Sequence, residues 1–350
     1  MRKSHRVSHW LLAATALLVS SAAVAQLAAA LPSLQAQPGH TSVSGLSSGA
    51  FMTVQYGVAF SSSTIGLGVV AGGPFYCAFS NALIATTTCM TGSPSAALAI
   101  ASANNLAMFN MIDPPSGIAR LKVYVFSGTQ DQVVYPSVVQ ATNDFFVQAR
   151  VAPQNLRYVN QVPAGHAFIA PSFGNPCSEN ATPYISHCTL PSAHQGYDQP
   201  KEILQHIYGP LQPAATTLSS SVQAFDQTEF LGLTASMASM DSTGYVYIPQ
   251  ACAANASGCA VHVVFHGCKQ GQQSVGDDVY SKVGYNRWAD TNGLIVLYPQ
   301  AVTSSVMPMN PNGCWDWWGY TGVNYMTRSG VQLSAVKAMV DRLTGVAASH

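Results

Sequence analysis

Val43-Ser44-Gly45-Leu46-Ser47-Ser48-Gly49-Ala50-Phe51 contains the pattern Gly-x-Ser-x-Gly, with Ser47 at its centre. The pattern marks a sharp strand-to-helix turn that lifts a serine hydroxyl clear of the backbone. Glycines flank the serine because strand and helix approach too closely for a Cβ at either position. The surroundings suit that reading. Residues 41–44 can run as a short strand, and 50–60 have the length and apolar content of a buried helix. The competing reading is a plain glycine- and serine-rich loop, since the chain has 28 Gly.

Downstream, residues 65–71 read as a strand closed by Gly72-Gly73-Pro74. A helix is expected over 94–111, ended by Pro114-Pro115, then a strand over 121–126, a helix over 136–150 and a strand over 156–159. Strands alternating with helices predict an α/β fold, with a mostly parallel sheet covered on both faces. Residues 171–213 read as an irregular lid or linker, with one short helix at 204–208. More strands follow at 244–249, 261–265 and 294–299, with helices at 285–292 and 331–343 and a long loop over 307–325.

A serine nucleophile needs a base for its proton, and the base needs a carboxylate to hold its tautomer. In α/β-hydrolases these follow the serine in the order Asp, then His, each after a later strand. Asp131 follows the strand 121–126, and His166 follows the strand 156–159 in a Pro-Ala-Gly-His turn. Asp144 is the fallback acid, mid-helix; His187, His194 and His206 are rival bases without a strand before them. The oxyanion needs two N–H donors. Ser48, next to the nucleophile, offers one. The other usually comes from a His-Gly loop after an earlier strand. Here that loop, His266-Gly267-Cys268, comes far downstream instead. A circular permutation explains the order, with 245–299 as the usual first strands and Cys268 as the second donor.

The chain has 350 residues and a hydrophobic content of 48%, enough for a sizeable core. Charged residues are 8%, with 14 Lys plus Arg against 14 Asp plus Glu. That balance argues against nucleic acid, which rewards clustered cations. Arg2, Lys3 and Arg6, the apolar run 10–24 and Ala23-Val24-Ala25 read as a signal peptide, 1–25, cleaved near Ala25. The mature chain, 26–350, is then exported, soluble and not membrane-bound. Eight cysteines in an oxidising compartment suggest four disulfides. Cys77 and Cys89, Cys177 and Cys188, and Cys252 and Cys259 are close in sequence, which leaves Cys268 with Cys314. No Cys-x2-Cys spacing supports a metal site. Asn180-Ala181-Thr182 and Asn255-Ala256-Ser257 match the glycan acceptor pattern.

Taken together, Gly45-Leu46-Ser47-Ser48-Gly49, Ala71-Gly72-Gly73-Pro74 with Cys77, Gly128-Thr129-Gln130-Asp131, Ala164-Gly165-His166, His266-Gly267-Cys268 and Asn312-Gly313-Cys314-Trp315-Asp316-Trp317-Trp318 resemble the single-domain, circularly permuted polyhydroxybutyrate depolymerases. The resemblance spans roughly residues 41–343. It implies a Ser47, Asp131, His166 triad with Ser48 and Cys268 as the oxyanion hole. It also implies a secreted, cofactor-free esterase that cuts short-chain polyhydroxyalkanoate and its hydroxybutyrate oligomers. One departure is Ala50, where a second glycine is expected. Related carbohydrate esterases share Tyr285-Asn286-Arg287-Trp288-Ala289-Asp290 and the last helix, so a feruloyl or acetylxylan esterase is the alternative. A non-catalytic surface-binding protein on the same fold is another. No linker leads to a separate adsorption domain, and a monomer is expected.

Trp315, Trp317 and Trp318 are either core anchors for the long loop or part of the ester-binding cleft. A Cys268–Cys314 bond would hold that loop against the oxyanion turn, which favours the cleft for all three.

Overall fold

The computed structural model describes residues 28–189 and 196–347. The expected signal peptide and His194 lie outside the described residues. Twelve strands are formed among them: β1 (Ala29–Ala30), β2 (Thr41–Leu46), β3 (Thr64–Val70), β4 (Lys122–Phe126), β5 (Leu156–Val159), β6 (Phe168–Ala170), β7 (Asn175–Pro176), β8 (Ile185–His187), β9 (Val222–Asp226), β10 (Thr243–Tyr247), β11 (Ala260–Phe265) and β12 (Leu294–Tyr298). Nine make the central sheet, in the order β1-β9-β10-β12-β11-β2-β3-β4-β5. Only the pairs that β10 makes with β9 and β12 are antiparallel. Apart from the two-residue edge strand β1, the later half of the chain therefore supplies one side of the sheet and the earlier half the other. They meet where β11 lies along β2, with Val263 opposite Val43.

Helices cover both faces, and β3 shows why. Side chains alternate across a strand. Leu67 fills the space over Gly57 in the helix Ser48–Ala59, where a Cβ would come within 2.4 Å of it. Gly66 and Gly68 point the other way, onto Ile207 and Ile203 of the helix Gln199–Tyr208. A Cβ at either glycine would sit 2.7 Å from those isoleucines, so the two glycines let that helix lie close. β2 alternates too: Val43 is in the apolar core, while Ser42 and Ser44 hydrogen-bond to Tyr208 and Tyr285.

Three parts differ from the expectation. The helix in the irregular stretch begins at Gln199 rather than at 204, because Asp198 caps it by accepting the Lys201 N–H and Pro200 is tolerated in the first turn. β9 has a weak apolar pattern, being an edge-side strand with exposed Gln223 and Ala224. In the small parallel sheet β6-β8-β7, β7 and β8 lie within residues 171–213, which read as irregular, and β6 lies just before them. All four disulfides are formed: Cys77–Cys89, Cys177–Cys188, Cys252–Cys259 and Cys268–Cys314. No helix among the described residues is long and apolar enough to cross a membrane.

Candidate active site

Ser47 lies between the end of β2 and the start of the helix Ser48–Ala59, with φ 58° and ψ −123°. A positive φ is costly for a residue with a Cβ and persists only where its surroundings enforce it. Here both flanking glycines are enclosed by backbone. A Cβ on Gly45 would stand 2.3 Å from the carbonyl oxygen of Gly49, and one on Gly49 would stand 2.4 Å from those of Phe265 and His266. The turn leaves Ser47 half-buried, lining a cavity of about 380 Å³. Ala50 is fully buried, and Gly72 makes room for it: a Cβ on Gly72 would be 2.5 Å from that of Ala50.

His166 lines the same cavity. Its Nδ1 is 2.8 Å from Oδ2 of Asp131, and both residues are buried. The other carboxylate oxygen of Asp131 accepts the Val133 and Val134 N–H groups, each at 2.9 Å. With Nδ1–H donated to the carboxylate, Nε2 remains as the basic end of the ring. The loops that carry the two residues pack backbone to backbone after β4 and β5. Thr129 N–H donates to Val162 and Gln130 N–H to Ala164, while Gly128 has no room for a Cβ beside the Ala164 carbonyl, which would be 2.2 Å away.

Asn180 joins these loops, a role that nothing in the local sequence pattern marks. Its Oδ1 accepts the N–H of Gln132 at 3.0 Å and of His166 at 2.9 Å. Its Nδ2 donates to the carbonyls of Gln130 and Ser178. Of the rival residues, Asp144 accepts from Gln140, His187 contacts the Gly174 carbonyl and His206 the Asn155 carbonyl; none lines the cavity.

Across the cavity, β11 ends in the turn His266-Gly267-Cys268. A Cβ on Gly267 would lie 3.4 Å from the Cβ of Ser47, so this turn and the serine are immediate neighbours. Cys268 lines the cavity and is tied to Cys314. The Ser48 N–H heads a helix, where first-turn N–H groups have no intrahelical acceptor.

The three tryptophans separate. Trp317 and Trp318 line the cavity, and Trp317 stacks on Phe51 at 4.4 Å. Trp315 does not. It is 0% exposed, packed edge-on against Phe265, and its place in the expected cleft is corrected to the core. Asp316 sets this division. Its carboxylate accepts the N–H groups of Trp318, Gly319, Tyr320 and Thr321 and the Thr321 hydroxyl, curling the loop about itself. The remaining cavity wall is largely apolar, with Leu46, Phe51, Met90, Val133 and Val134.

A serine–histidine contact lies inside the sheet, away from Ser47. His262 bridges Ser42, at 2.6 Å, and Ser44, at 2.9 Å. All three are 0% exposed, and no carboxylate touches the ring among the described residues. Burial lowers the pKa of His262 to about 3. These residues form a neutral polar ladder beneath the sheet and do not line the cavity.

No family model matches the chain. It is 42% identical over 321 residues to a poly(3-hydroxybutyrate) depolymerase of Delftia acidovorans, covering 90% of this chain but 61% of that protein. It is 38% identical over 344 residues to a polyhydroxybutyrate depolymerase of Talaromyces funiculosus, covering 93% of this chain and 96% of that one. Two solved structures align with a TM-score of 0.82 and 36% identity, over 91% of this chain and 99% of theirs. They are the PHB depolymerase from Penicillium funiculosum and a serine-to-alanine variant of PHB depolymerase complexed with an R3HB trimer. An α/β sheet of this order, with identity at this level along nearly its whole length, establishes that the chain belongs to the polyhydroxybutyrate depolymerase family.

Proposed function

We propose that the chain is a secreted serine esterase that hydrolyses poly(3-hydroxybutyrate) and related short-chain polyesters. One observation carries the proposal. Ser47, held in a strained turn, opens into a single cavity with a histidine whose far nitrogen is bonded to a buried carboxylate. In this reading Ser47 Oγ attacks the ester carbonyl carbon while Nε2 of His166 takes its proton. Asp131 keeps Nδ1 protonated and offsets the imidazolium charge. The Ser48 and Cys268 N–H groups receive the oxyanion. Collapse expels the alcohol end of the polymer, which takes the proton from Nε2 and leaves an acyl-serine. Water, deprotonated by His166, then releases the acid and restores Ser47.

The apolar wall with Trp317 and Trp318 suits a neutral, methyl-bearing polyester. The order of the sheet supports a circularly permuted α/β-hydrolase; in this reading 26–350 is one catalytic domain, acting as a monomer. Four disulfides support an oxidising compartment, reached through the signal peptide 1–25.

The test compares wild type and Ser47→Ala on polymer film, on feruloyl esters and on acetylated xylan, with mass analysis of the products. Hydroxybutyrate release by wild type alone is expected. Preference for a feruloyl or acetyl ester would make the chain a carbohydrate esterase. Adsorption to film without hydrolysis by either protein would make it a surface-binding protein.

A further inference from the structure

We propose that His266 is a positioning residue that fixes the direction of the Cys268 N–H by gripping the other end of the same peptide group. The inference rests on the reading of Cys268 as an oxyanion donor. His266 is 1% exposed at the end of β11. Its Nε2 is 3.0 Å from the backbone nitrogen of Ala301. A backbone N–H can only donate, so Nε2 is the unprotonated nitrogen and Nδ1 carries the hydrogen. Nδ1 is 2.7 Å from the Gly267 carbonyl oxygen, to which it therefore donates.

That carbonyl belongs to the same planar trans peptide as the Cys268 N–H. In such a peptide the two bonds point in opposite directions, so fixing the oxygen fixes the hydrogen. A hydrogen bond to the oxygen also polarises the N–H and makes it a stronger donor. The residue before this peptide is held as well. Gly267 N–H donates to Oε1 of Gln270 at 2.7 Å, and the Gln270 amide donates to the carbonyls of Pro183 and Tyr184. Trp315 leans on the imidazole at 5.5 Å, which gives this core tryptophan a part in holding the ring. Burial lowers the pKa of the ring to about 4, so it is neutral above that pH.

Two substitutions separate the two ring nitrogens. In His266→Asn the side-chain amide can occupy the Nδ1 position and still donate to Gly267. In His266→Gln the longer side chain can accept from Ala301 but leaves the Gly267 carbonyl without its donor. Loss of a whole oxyanion donor costs about 100- to 1,000-fold in kcat. Misdirecting one is expected to cost about 10- to 100-fold, so His266→Gln should lose that much kcat on a soluble ester with KM unchanged. His266→Asn should remain about 10-fold more active than His266→Gln. Equal losses in both variants, or the reverse order, would overturn the proposal. Retained activity in Ser47→Ala would instead overturn the site reading beneath it. If either variant fails to fold, long-range 1H–15N correlation on the wild-type protein reads the tautomer directly. A proton on Nδ1 of His266 supports the proposal, and one on Nε2 overturns it.

Discussion

The Asn180 side-chain carbonyl accepts the backbone N–H of His166 at 2.9 Å, while the same amide reaches Gln130 and Gln132 on either side of Asp131. One side chain thus sets the spacing of the two loops that carry the proposed acid and base. A misplacement of about 1 Å in such a pair can cost about 100-fold in rate. Asn180→Ala should therefore lower kcat on a soluble ester by about 10- to 100-fold, with a modest loss of Tm. An unchanged kcat would show that the loops hold their register without it.

Gly49→Ala tests the enclosed turn. The new Cβ would meet the carbonyl oxygens of Phe265 and His266 at 2.4 Å, and neither can yield without moving β11. Overpacking of this kind costs about 1–3 kcal/mol or more. We expect a fall in urea midpoint together with near-complete loss of activity. Full activity would mean that the turn relaxes freely.

Trp315 and Trp317 should respond differently. Trp315→Ala removes a fully buried ring and should cost about 3–5 kcal/mol of stability. Trp317→Ala opens the cavity wall beside Phe51 and should act mainly on KM for hydroxybutyrate oligomers. The opposite assignment, from parallel Tm and kinetic measurements, would put Trp315 in the cleft.

Acid should weaken the fold through its buried rings. An unfolded histidine takes up a proton near pH 6.5. Folded, His262 stays neutral down to about pH 3 and His266 down to about pH 4. Between those limits the unfolded chain binds more protons. Stability is therefore full above about pH 6.5 and falls as pH drops, by about 1.4 kcal/mol per pH unit for each ring. In His262→Gln the slope of unfolding free energy against pH, between about 4.5 and 6, should lessen by roughly one proton. An unchanged slope would remove His262 from the account.

Asp316 holds four backbone N–H groups on one carboxylate. Asp316→Asn replaces one accepting oxygen by a donor and sets it against those N–H groups. A buried polar mismatch costs about 1–3 kcal/mol or more. Loss of stability with a raised KM is expected, because Trp317 and Trp318 lie on the same curl. Calorimetry and oligomer kinetics on the variant would check both.

What could be read in advance had a local cause. Steric exclusion around Ser47 imposes Gly45 and Gly49, so the turn leaves a mark within five residues. Asp131 and His166 follow well-formed strands and stand near glycines that let their loops touch. Asn180, Gln270 and Asp316 leave no such mark, because each is defined by distant or looped-back backbone groups. The helix Gln199–Tyr208 was obscured at its start by Pro200, which its cap makes harmless. The three tryptophans look alike on paper. Only the packing of Phe265 against one and Phe51 against another tells them apart.

The bond from Cys268 to Cys314 has a temporal consequence. The turn facing Ser47 and the cavity wall that holds Cys314 become one covalent body only after two thiols have lost their hydrogens. A freshly made chain in a reducing cytosol would hold Ser47, the proposed nucleophile, without that brace, so full competence should arrive with oxidation. Mild reductant should slow turnover at concentrations that leave the overall fold standing.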